Sequence, residues 1–216
     1  MTIEAKICGI TTREALDAAI AGGADYIGLV FCSKSPRHLE IAEASELARH
    51  ARGKVKVVAL TVDADDATLA HIVDEVSPDF LQLHGTESSE RVAAIKQRFG
   101  RPVIKAIAVA TSEDAAGAQH YASTADLILF DAKAPAGATR PGGHGRSFDW
   151  QVLAGVAGRM PFMLSGGLGP ANVADAIRIT GTNAVDVSSG VESAPGVKDV
   201  ELIRRFLQTV KTAKQR

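Results

Sequence analysis

Cysteine is scarce in this sequence, which has only Cys8 and Cys32 among its 216 residues. The two do not form a CxxC pair, and no group of cysteines and histidines has the spacing of a zinc site. We therefore expect no metal centre. In a cytosolic chain of this size, two cysteines are expected to be thiols rather than a disulfide.

Long apolar runs and clusters of one charge are also missing. No stretch approaches the roughly 20 apolar residues of a membrane span. The N-terminal segment, with Glu4 and Lys6 in its first predicted strand, lacks the pattern of a signal peptide. The formal net charge is −1, and the basic residues near the C-terminus are scattered. We expect a cytoplasmic protein without a membrane or nucleic-acid partner, which binds a small molecule.

The order of apolar and amphipathic segments predicts the fold. Hydrophobic residues make up 46% of the chain, enough for a substantial core, and we predict one domain over residues 1–216. Short apolar segments alternate with longer amphipathic ones, as in a parallel sheet with helical crossovers. The predicted strands lie near residues 3–8, 25–31, 55–62, 79–83, 102–108, 126–130, 161–164 and 184–187. Eight strands close an α/β barrel, and a doubly wound open sheet is the alternative.

The amphipathic segments predict helices between these strands. One runs from Glu14 to Ala21 and ends at Gly22 and Gly23, where glycine readily takes the left-handed conformation. Others begin near residues 42, 66, 88, 112, 148, 170 and 199, several of them behind Ser, Asp or Pro. Residues 133–146 form a long loop after the sixth strand, and a loop of this length is either mobile surface or part of a site.

Two glycine-containing segments follow the seventh and eighth predicted strands. They read Leu164-Ser165-Gly166-Gly167-Leu168 and Asp186-Val187-Ser188-Ser189-Gly190-Val191-Glu192. In an eight-stranded barrel these two turns commonly bind phosphate, because glycine lets backbone N–H groups approach the oxygens. The candidate phosphate-binding residues are Gly166, Gly167, Ser188, Ser189 and Gly190. The two turns favour a (β/α)8 TIM barrel over the open sheet.

Four other side chains that can take part in catalysis or binding lie at predicted strand ends. Cys8 ends the first strand, His84 the fourth and Asp131 the sixth, and Arg37 follows the second. Singly, each has an ordinary explanation as a buried thiol, a capping carboxylate, or a packing or surface group. Active-site side chains of a barrel come from the carboxyl ends of its strands, so these four should meet at one mouth. Their convergence favours a functional role.

The motifs resemble those of the phosphoribosylanthranilate isomerases of tryptophan biosynthesis. The matching segments run through the whole chain in family order: Lys6-Ile7-Cys8-Gly9-Ile10-Thr11, Ala24 to Phe31, Ser35-Pro36-Arg37, Leu81-Gln82-Leu83-His84-Gly85, Asp131, Gly145 to Trp150, and the two glycine turns. Such a set is far more specific than one glycine motif.

The resemblance implies an Amadori rearrangement. N-(5-phospho-β-D-ribosyl)anthranilate becomes 1-(2-carboxyphenylamino)-1-deoxy-D-ribulose 5-phosphate, with no redox change, cofactor or metal. By family position Asp131 is the general acid that opens the ribose ring, and Cys8 is the general base at C2. The planar fork of Arg37 is expected to pair with the anthranilate carboxylate. Asp186 is expected at the sugar hydroxyls, and His84 at the mouth.

These roles make opposite demands on the two catalytic groups. Asp131 must keep its proton near neutral pH, although a free Asp has a pKa of about 3.9. Cys8 must ionise, although a free thiol has a pKa of about 8.5 and burial raises it. We therefore expect a cation or backbone dipoles beside Cys8.

One loop departs from the family pattern. Where the family usually carries Gly-Gly-Thr-Gly, this sequence reads Gly142-Gly143-His144-Gly145. The glycines still permit a loop that closes over bound substrate. We expect no hydroxyl contact there and assign His144 no catalytic role.

Two other classes of function stay open. A barrel lyase or synthase would share the phosphate turns but needs a Schiff-base lysine or metal-binding carboxylates, and Lys105 in the fifth strand is the candidate lysine. A non-catalytic phosphate-binding module would have no need of Cys8 and Asp131. The oligomeric state also stays open between a monomer and a homodimer.

Overall fold

The core of the molecule is a closed barrel of eight parallel strands in chain order, in which β1 pairs with β8 to complete the ring. The computed structural model describes residues 2–134, 137, 142–143, 145, 147–156 and 160–213. The strands are β1 (Glu4–Cys8), β2 (Tyr26–Phe31), β3 (Lys56–Thr61), β4 (Phe80–Leu83), β5 (Val103–Val109), β6 (Leu127–Ala132), β7 (Phe162–Leu164) and β8 (Ala184–Val187). The predicted TIM barrel is confirmed.

Alternate residues of each strand face the inside and the outside of the barrel. Tyr26, Val58 and Leu129 pack against one another inside it. Ile7 and Ile27, at the intervening positions, pack in the layer between the barrel and the helices. This period of two carries polar side chains near the strand ends into the mouth of the barrel.

Helices cover the outside of the barrel. They are α1 (Arg13–Gly22), α2 (Ile41–Ala51), α3 (Asp66–Val76), α4 (Ser89–Phe99), α5 (Ser112–Ala116), α6 (Val173–Thr180) and α7 (Val200–Thr212). Thr12, Asp65, Ser88 and Asp199 accept first-turn backbone N–H groups, as N-cap side chains do. In the described part of the chain, no helix combines the length and the apolar composition that a membrane span requires.

Two segments differ from the sequence-based prediction. In place of a helix near residue 148, the described residues form a single 3₁₀ turn, Trp150–Leu153. Gly155 follows that turn, and glycine disfavours helix continuation. The second difference is an antiparallel hairpin between β8 and α7, formed by β9 (Glu192–Ala194) and β10 (Val197–Lys198). Its strands are too short and too polar for their pattern to predict them.

Candidate active site

A pocket opens at the carboxyl ends of the barrel strands. Nine of the ten predicted site residues line it: Cys8, Arg37, His84, Asp131, Gly166, Gly167, Asp186, Ser188 and Ser189. Gly190 instead lies where the two glycine turns touch, since a Cβ at this position would be 1.8 Å from the carbonyl oxygen of Leu168. Gly190 therefore packs between these turns, and its predicted contact with phosphate stays a prediction.

Cys8 ends β1 with its side chain directed into the barrel and is 5% exposed. The neighbouring strand approaches closely, because a Cβ on Gly28 would lie 2.8 Å from Cys8 Sγ. Burial raises the pKa of the Cys8 thiol; Lys6 pulls that pKa down, Asp186 raises it and Lys198 lowers it, and the net direction is upward. The neutral thiol is therefore the dominant form near neutral pH.

The cation expected beside Cys8 is Lys6, two residues earlier on the same face of β1. Lys6 is 0% exposed, and its Nζ donates to Asp186 Oδ1 at 2.9 Å. Asp186 Oδ2 accepts from Ser165 Oγ at 2.9 Å, so Asp186 bonds to protein groups through both oxygens. Burial lowers the pKa of Lys6, but Asp186 and Cys8 raise it by more. Sequence reasoning missed Lys6, whose signal is a lysine at an inward position of a buried strand.

Asp131 lies on the inward face of β6 and is 6% exposed. Its Oδ1 accepts from the backbone N–H of Ala132 at 2.9 Å, and its Oδ2 is 3.2 Å from His84 Nε2. The other ring nitrogen of His84, Nδ1, is 2.9 Å from Gln82 Nε2. Gln82 Oε1 is buried and has no hydrogen-bond partner among the described residues. His84 therefore connects Asp131 to Gln82, a residue that sequence reasoning did not select.

Arg37 is buried at the rim of the pocket in a bidentate ion pair. Its Nε donates to Glu192 Oε1 at 2.7 Å and its Nη2 to Glu192 Oε2 at 2.8 Å. The fork expected to meet a substrate carboxylate is thus occupied on one side. Its Nη1 edge lies beside Gly143, at the pocket lining. Glu192 belongs to the eighth-turn motif, but the motif does not reveal a partner 155 residues away.

Lys198 of the β9–β10 hairpin completes this cluster. Its Nζ donates to Glu192 Oε1 at 2.7 Å and to the carbonyl oxygen of Ser188 at 2.9 Å. Burial lowers the pKa of Lys198, although Glu192 opposes that shift. Ser188 Oγ in turn donates to the carbonyl oxygen of Cys8 at 3.0 Å. The hairpin therefore fixes the eighth turn against the end of β1.

The turn after β7 lines the pocket with two glycines, Gly166 and Gly167. Gly166 and Gly167 have φ angles of +89° and +64°, which glycine adopts readily and other residues rarely. A Cβ on Gly166 would lie 2.6 Å from the backbone nitrogen of Ala132. This turn therefore meets the pocket with backbone groups, which is how protein loops commonly bind phosphate.

The loop after β6 reaches over Asp131 and His84. Gly142 and Gly143 line the pocket, and a Cβ on Gly142 would lie 2.5 Å from Asp131 Oδ2 and 2.8 Å from His84 Nε2. No side chain fits there without displacing these two groups. His144 lies outside the described residues.

Lys105, the candidate Schiff-base lysine, lies outside the barrel wall. It alternates with inward-facing Ile104 and shares its face of β5 with Val103, which packs among side chains of α3 and α4. Its buried Nζ donates to the carbonyl oxygen of Gly85 at 2.8 Å and to Glu87 Oε2 at 2.9 Å. Lys105, a residue of β5, therefore has a structural role: its side chain holds the β4–α4 turn through Gly85 and Glu87.

Metal-binding groups and disulfides are absent from the part of the chain that the structure describes. Among the described residues, no group of three or more His, Cys, Asp and Glu is arranged to hold a metal ion. Cys8 and Cys32 are both free thiols.

Comparisons with known proteins point to one family. The family model described as N-(5'-phosphoribosyl)anthranilate (PRA) isomerase matches residues 5–209. A relative from Rhodopseudomonas palustris (strain BisA53), named N-(5'-phosphoribosyl)anthranilate isomerase, is 59% identical over 215 residues, which cover 100% of this chain and 99% of the relative.

Solved structures of similar proteins agree with this match. A phosphoribosylanthranilate isomerase in complex with reduced 1-(o-carboxyphenylamino)-1-deoxyribulose 5-phosphate has a TM-score of 0.85 and 33% identity, and the alignment covers 97% of this chain and 99% of that one. Monomers generated from the dimeric Thermotoga maritima enzyme also have a TM-score of 0.85, with 34% identity and the same coverage.

Proposed function

The chain belongs to the N-(5'-phosphoribosyl)anthranilate isomerase family of tryptophan biosynthesis, and on that premise we propose a mechanism with Asp131 as general acid and Cys8 as general base. The reaction is the rearrangement of N-(5-phospho-β-D-ribosyl)anthranilate to 1-(2-carboxyphenylamino)-1-deoxy-D-ribulose 5-phosphate. It needs one group that gives a proton and one that takes a proton, and we assign these roles to Asp131 and Cys8, which both line the pocket.

The arrangement around the rim is the observation that carries the proposal. Cys8 ends β1 and Asp131 lies near the end of β6, and both line one pocket. The strands between them in the closed ring are β7 and β8, which lead into the two glycine turns. A phosphate held at those turns anchors the ribose between the acid and the base.

The two anionic ends of the substrate have separate receptors in this proposal. The phosphate binds the backbone of Gly166 and Gly167 and the eighth turn at Ser188 and Ser189. The anthranilate carboxylate meets the Nη1 edge of Arg37, because Glu192 already occupies Nε and Nη2. The sequence predicted a bidentate pair with the guanidinium fork, whereas this proposal gives the substrate carboxylate only the Nη1 edge.

Asp131 starts the reaction. Its proton passes to the ring oxygen of the ribose, the bond between that oxygen and C1 breaks, and the anthranilate nitrogen donates its lone pair to form a C1=N Schiff base. The His84 tautomer with hydrogen on Nδ1 leaves Nε2 able to accept a hydrogen bond from protonated Asp131. Gln82 Nε2 faces Nδ1 in the structure, and a flip of this amide would instead bring Oε1, which has no partner among the described residues, to that Nδ1–H.

Cys8 acts in the next proton transfer, at C2. Its thiolate takes the C2 proton, the C2–H electron pair becomes the C1=C2 bond, and the Schiff-base nitrogen recovers its lone pair in an enolamine. C1 then gains a proton and the 2-hydroxyl loses one, which gives the ketone with no net change of atoms or electrons. Each positioned proton transfer typically contributes roughly 10²- to 10⁴-fold in rate.

Loss of anthranilate fluorescence tests the function. Phosphoribosylanthranilate is generated in situ and supplied to the purified chain in buffer containing a metal chelator, with and without prior borohydride treatment in the presence of substrate followed by removal of all small molecules. We expect turnover in both cases, because the proposal uses neither a metal nor a protein Schiff base. Inactivation by borohydride, or no turnover by the folded chain, would contradict the proposal.

A further inference from the structure

Lys6 is a fully buried ammonium that the steps above do not use. Its side chain is 0% exposed, and burial of an unpaired ammonium inside a protein is strongly unfavourable. Asp186 offsets that penalty through the 2.9 Å bond to Lys6 Nζ, and Ser165 holds the other oxygen of Asp186. Side chains from β1 and β8, with Ser165 just after β7, thus keep a cation inside the barrel.

The place of this cation relative to Cys8 suggests its role. Lys6 and Cys8 occupy successive inward positions on β1, and each group shifts the pKa of the other through its charge. Since Asp186 takes one N–H of the ammonium, others remain to point toward sulfur. Sγ thus has a fixed cationic neighbour on its own strand.

The other charged groups that act on Cys8 come from other elements. They are Asp186 on β8, Lys198 on β10 and Arg37 in the β2–α2 connection. Lys198 and Arg37 are each bonded to the shared carboxylate of Glu192 at 2.7 Å. Both cations share that carboxylate, and the charge of Lys6 lowers the pKa of Cys8 more than the charge of Lys198 does.

We propose that Lys6 is a positioning residue that stabilises the Cys8 thiolate, and that Asp186 and Ser165 hold its ammonium beside Sγ. This inference rests on the proposed function, in which Cys8 is the base. With Cys8 as a thiol, Lys6 and Asp186 form a neutral buried pair. When the thiol proton leaves, the new thiolate shares the same ammonium with Asp186, so the charge forms next to a cation already in place.

The pH dependence of Cys8 alkylation tests the inference without relying on catalysis. In a Cys32→Ser background, the iodoacetamide reaction is followed by intact mass at a series of pH values. Lys6→Met should move the midpoint of alkylation upward by at least about one pH unit, the shift that a tenfold loss of thiolate stabilisation produces. Lys6→Arg, which keeps the charge, should shift it less.

Two further variants protect this test from a folding artefact. Lys6→Met combined with Asp186→Asn removes both charges of the pair, which buried sites tolerate better than loss of one partner. Its midpoint should stay above that of the parent, because burial is no longer opposed by Lys6. The matched control is Lys105→Met, which also breaks a buried lysine–carboxylate pair but lies outside the barrel wall, and it should leave the midpoint unchanged.

Each result has a definite meaning. Midpoints of both Lys6 variants equal to the parent value would overturn the inference, as would a shift of equal size in Lys105→Met. The ascending limb of kcat/KM against pH, which reports ionisation of the base, should move with the alkylation midpoint in Lys6→Met. A thiol shift without that movement would overturn the catalytic role of Lys6. Near-normal activity of Cys8→Ala would instead refute the proposed base, while the alkylation result still reports on Lys6.

Discussion

At the scale of single residues, the proposed mechanism needs opposite protonation states of Cys8 and Asp131. In the proposed mechanism Cys8, buried beside Val30 and Leu60, must lose a proton to act as a base, whereas Asp131 must keep one until the ribose ring opens. The hydrogen-bonding neighbours differ accordingly: Lys6 beside Cys8 supplies positive charge, and His84 beside Asp131 supplies a ring nitrogen that can accept. The proposed roles of Cys8 and Asp131 therefore depend on their neighbours as well as on the side chains themselves.

The pH dependence of activity follows from the Cys8 thiol. Burial raises its pKa above the ordinary value, and a base is active only when deprotonated. We predict that kcat/KM of the wild type rises with pH through the neutral and into the alkaline range. Cys8→Asp should move that rise to lower pH if it retains activity, because carboxylates ionise at lower pH. A profile that falls from neutral pH upward would contradict this assignment.

Gly142 provides a second test at this scale. We predict that Gly142→Ala lowers kcat by at least about tenfold, since the added Cβ would displace Asp131 or His84 and positioned proton transfer depends on their geometry. Gly117→Ala is the control, because a Cβ at Gly117 meets nothing within 4 Å. Steady-state kinetics of the two variants decide the point; equal kcat values would show that the loop does not constrain the acid.

At the scale of elements, the β9–β10 hairpin connects parts of the site that are distant in sequence. Glu192 accepts from Arg37, from Lys198 and from the backbone N–H of Gly196. The hairpin therefore joins Arg37, the proposed receptor for the substrate carboxylate, to the eighth turn at Ser188. Its short strands thus pair with each other and are also tied to buried charged side chains.

Loss of Glu192 should weaken this element. We predict that Glu192→Gln destabilises the protein by about 3 kcal/mol, because it leaves buried cations without their carboxylate. Urea unfolding measures the change, and Glu201→Gln, in an exposed pair with Arg204, should change stability little. Equal effects of the two substitutions would contradict the structural role of the hairpin.

Acid should act on the same carboxylate. Burial raises the pKa of Glu192, but Arg37 and Lys198 lower it by more, so the folded-state pKa lies below the ordinary value. A lowered carboxylate pKa contributes stability above the unfolded-state pKa, and that contribution is lost as pH falls through the folded-state value. The destabilisation by Glu192→Gln is therefore largest near neutral pH and shrinks in acid.

The elements also show what sequence can predict. The eight strands were predictable because each is a short apolar run between glycine, proline or cap signals, and each predicted strand is found. The hairpin was not, because its stability depends on Arg37, far away in sequence. The role of Lys6 was not predictable for the same reason, because its partner Asp186 is 180 residues away in the sequence. Predicted site residues came from motifs at strand ends, while the charged residues that support them are defined only by closure of the barrel.

At the scale of the whole molecule, closure of the barrel assembles the site. β1 pairs with both β2 and β8, and this closure places Cys8 near the eighth turn and Lys6 beside Asp186. Outside the barrel, α7 packs against α1, so the last helix covers the seam between the first strand and the last. The site therefore depends on residues from both ends of the chain.

Packing of α7 should thus affect stability. Phe206 on α7 is 0% exposed, and we predict that Phe206→Ala costs about 3–5 kcal/mol, the range for truncation of a buried aromatic side chain. Thermal unfolding measures the loss, with half-buried Phe99→Ala at the end of α4 as the milder comparison. A loss no greater than that of Phe99→Ala would show that α7 is not part of the cooperative core.

The most direct test of the account compares turnover by the wild type with turnover by Cys8→Ala and Asp131→Asn, using anthranilate fluorescence. We predict that both variants fold like the wild type and that each loses at least about 10²-fold in kcat, since each removes one positioned proton transfer. Near-normal turnover by either folded variant would contradict the assignment of acid and base.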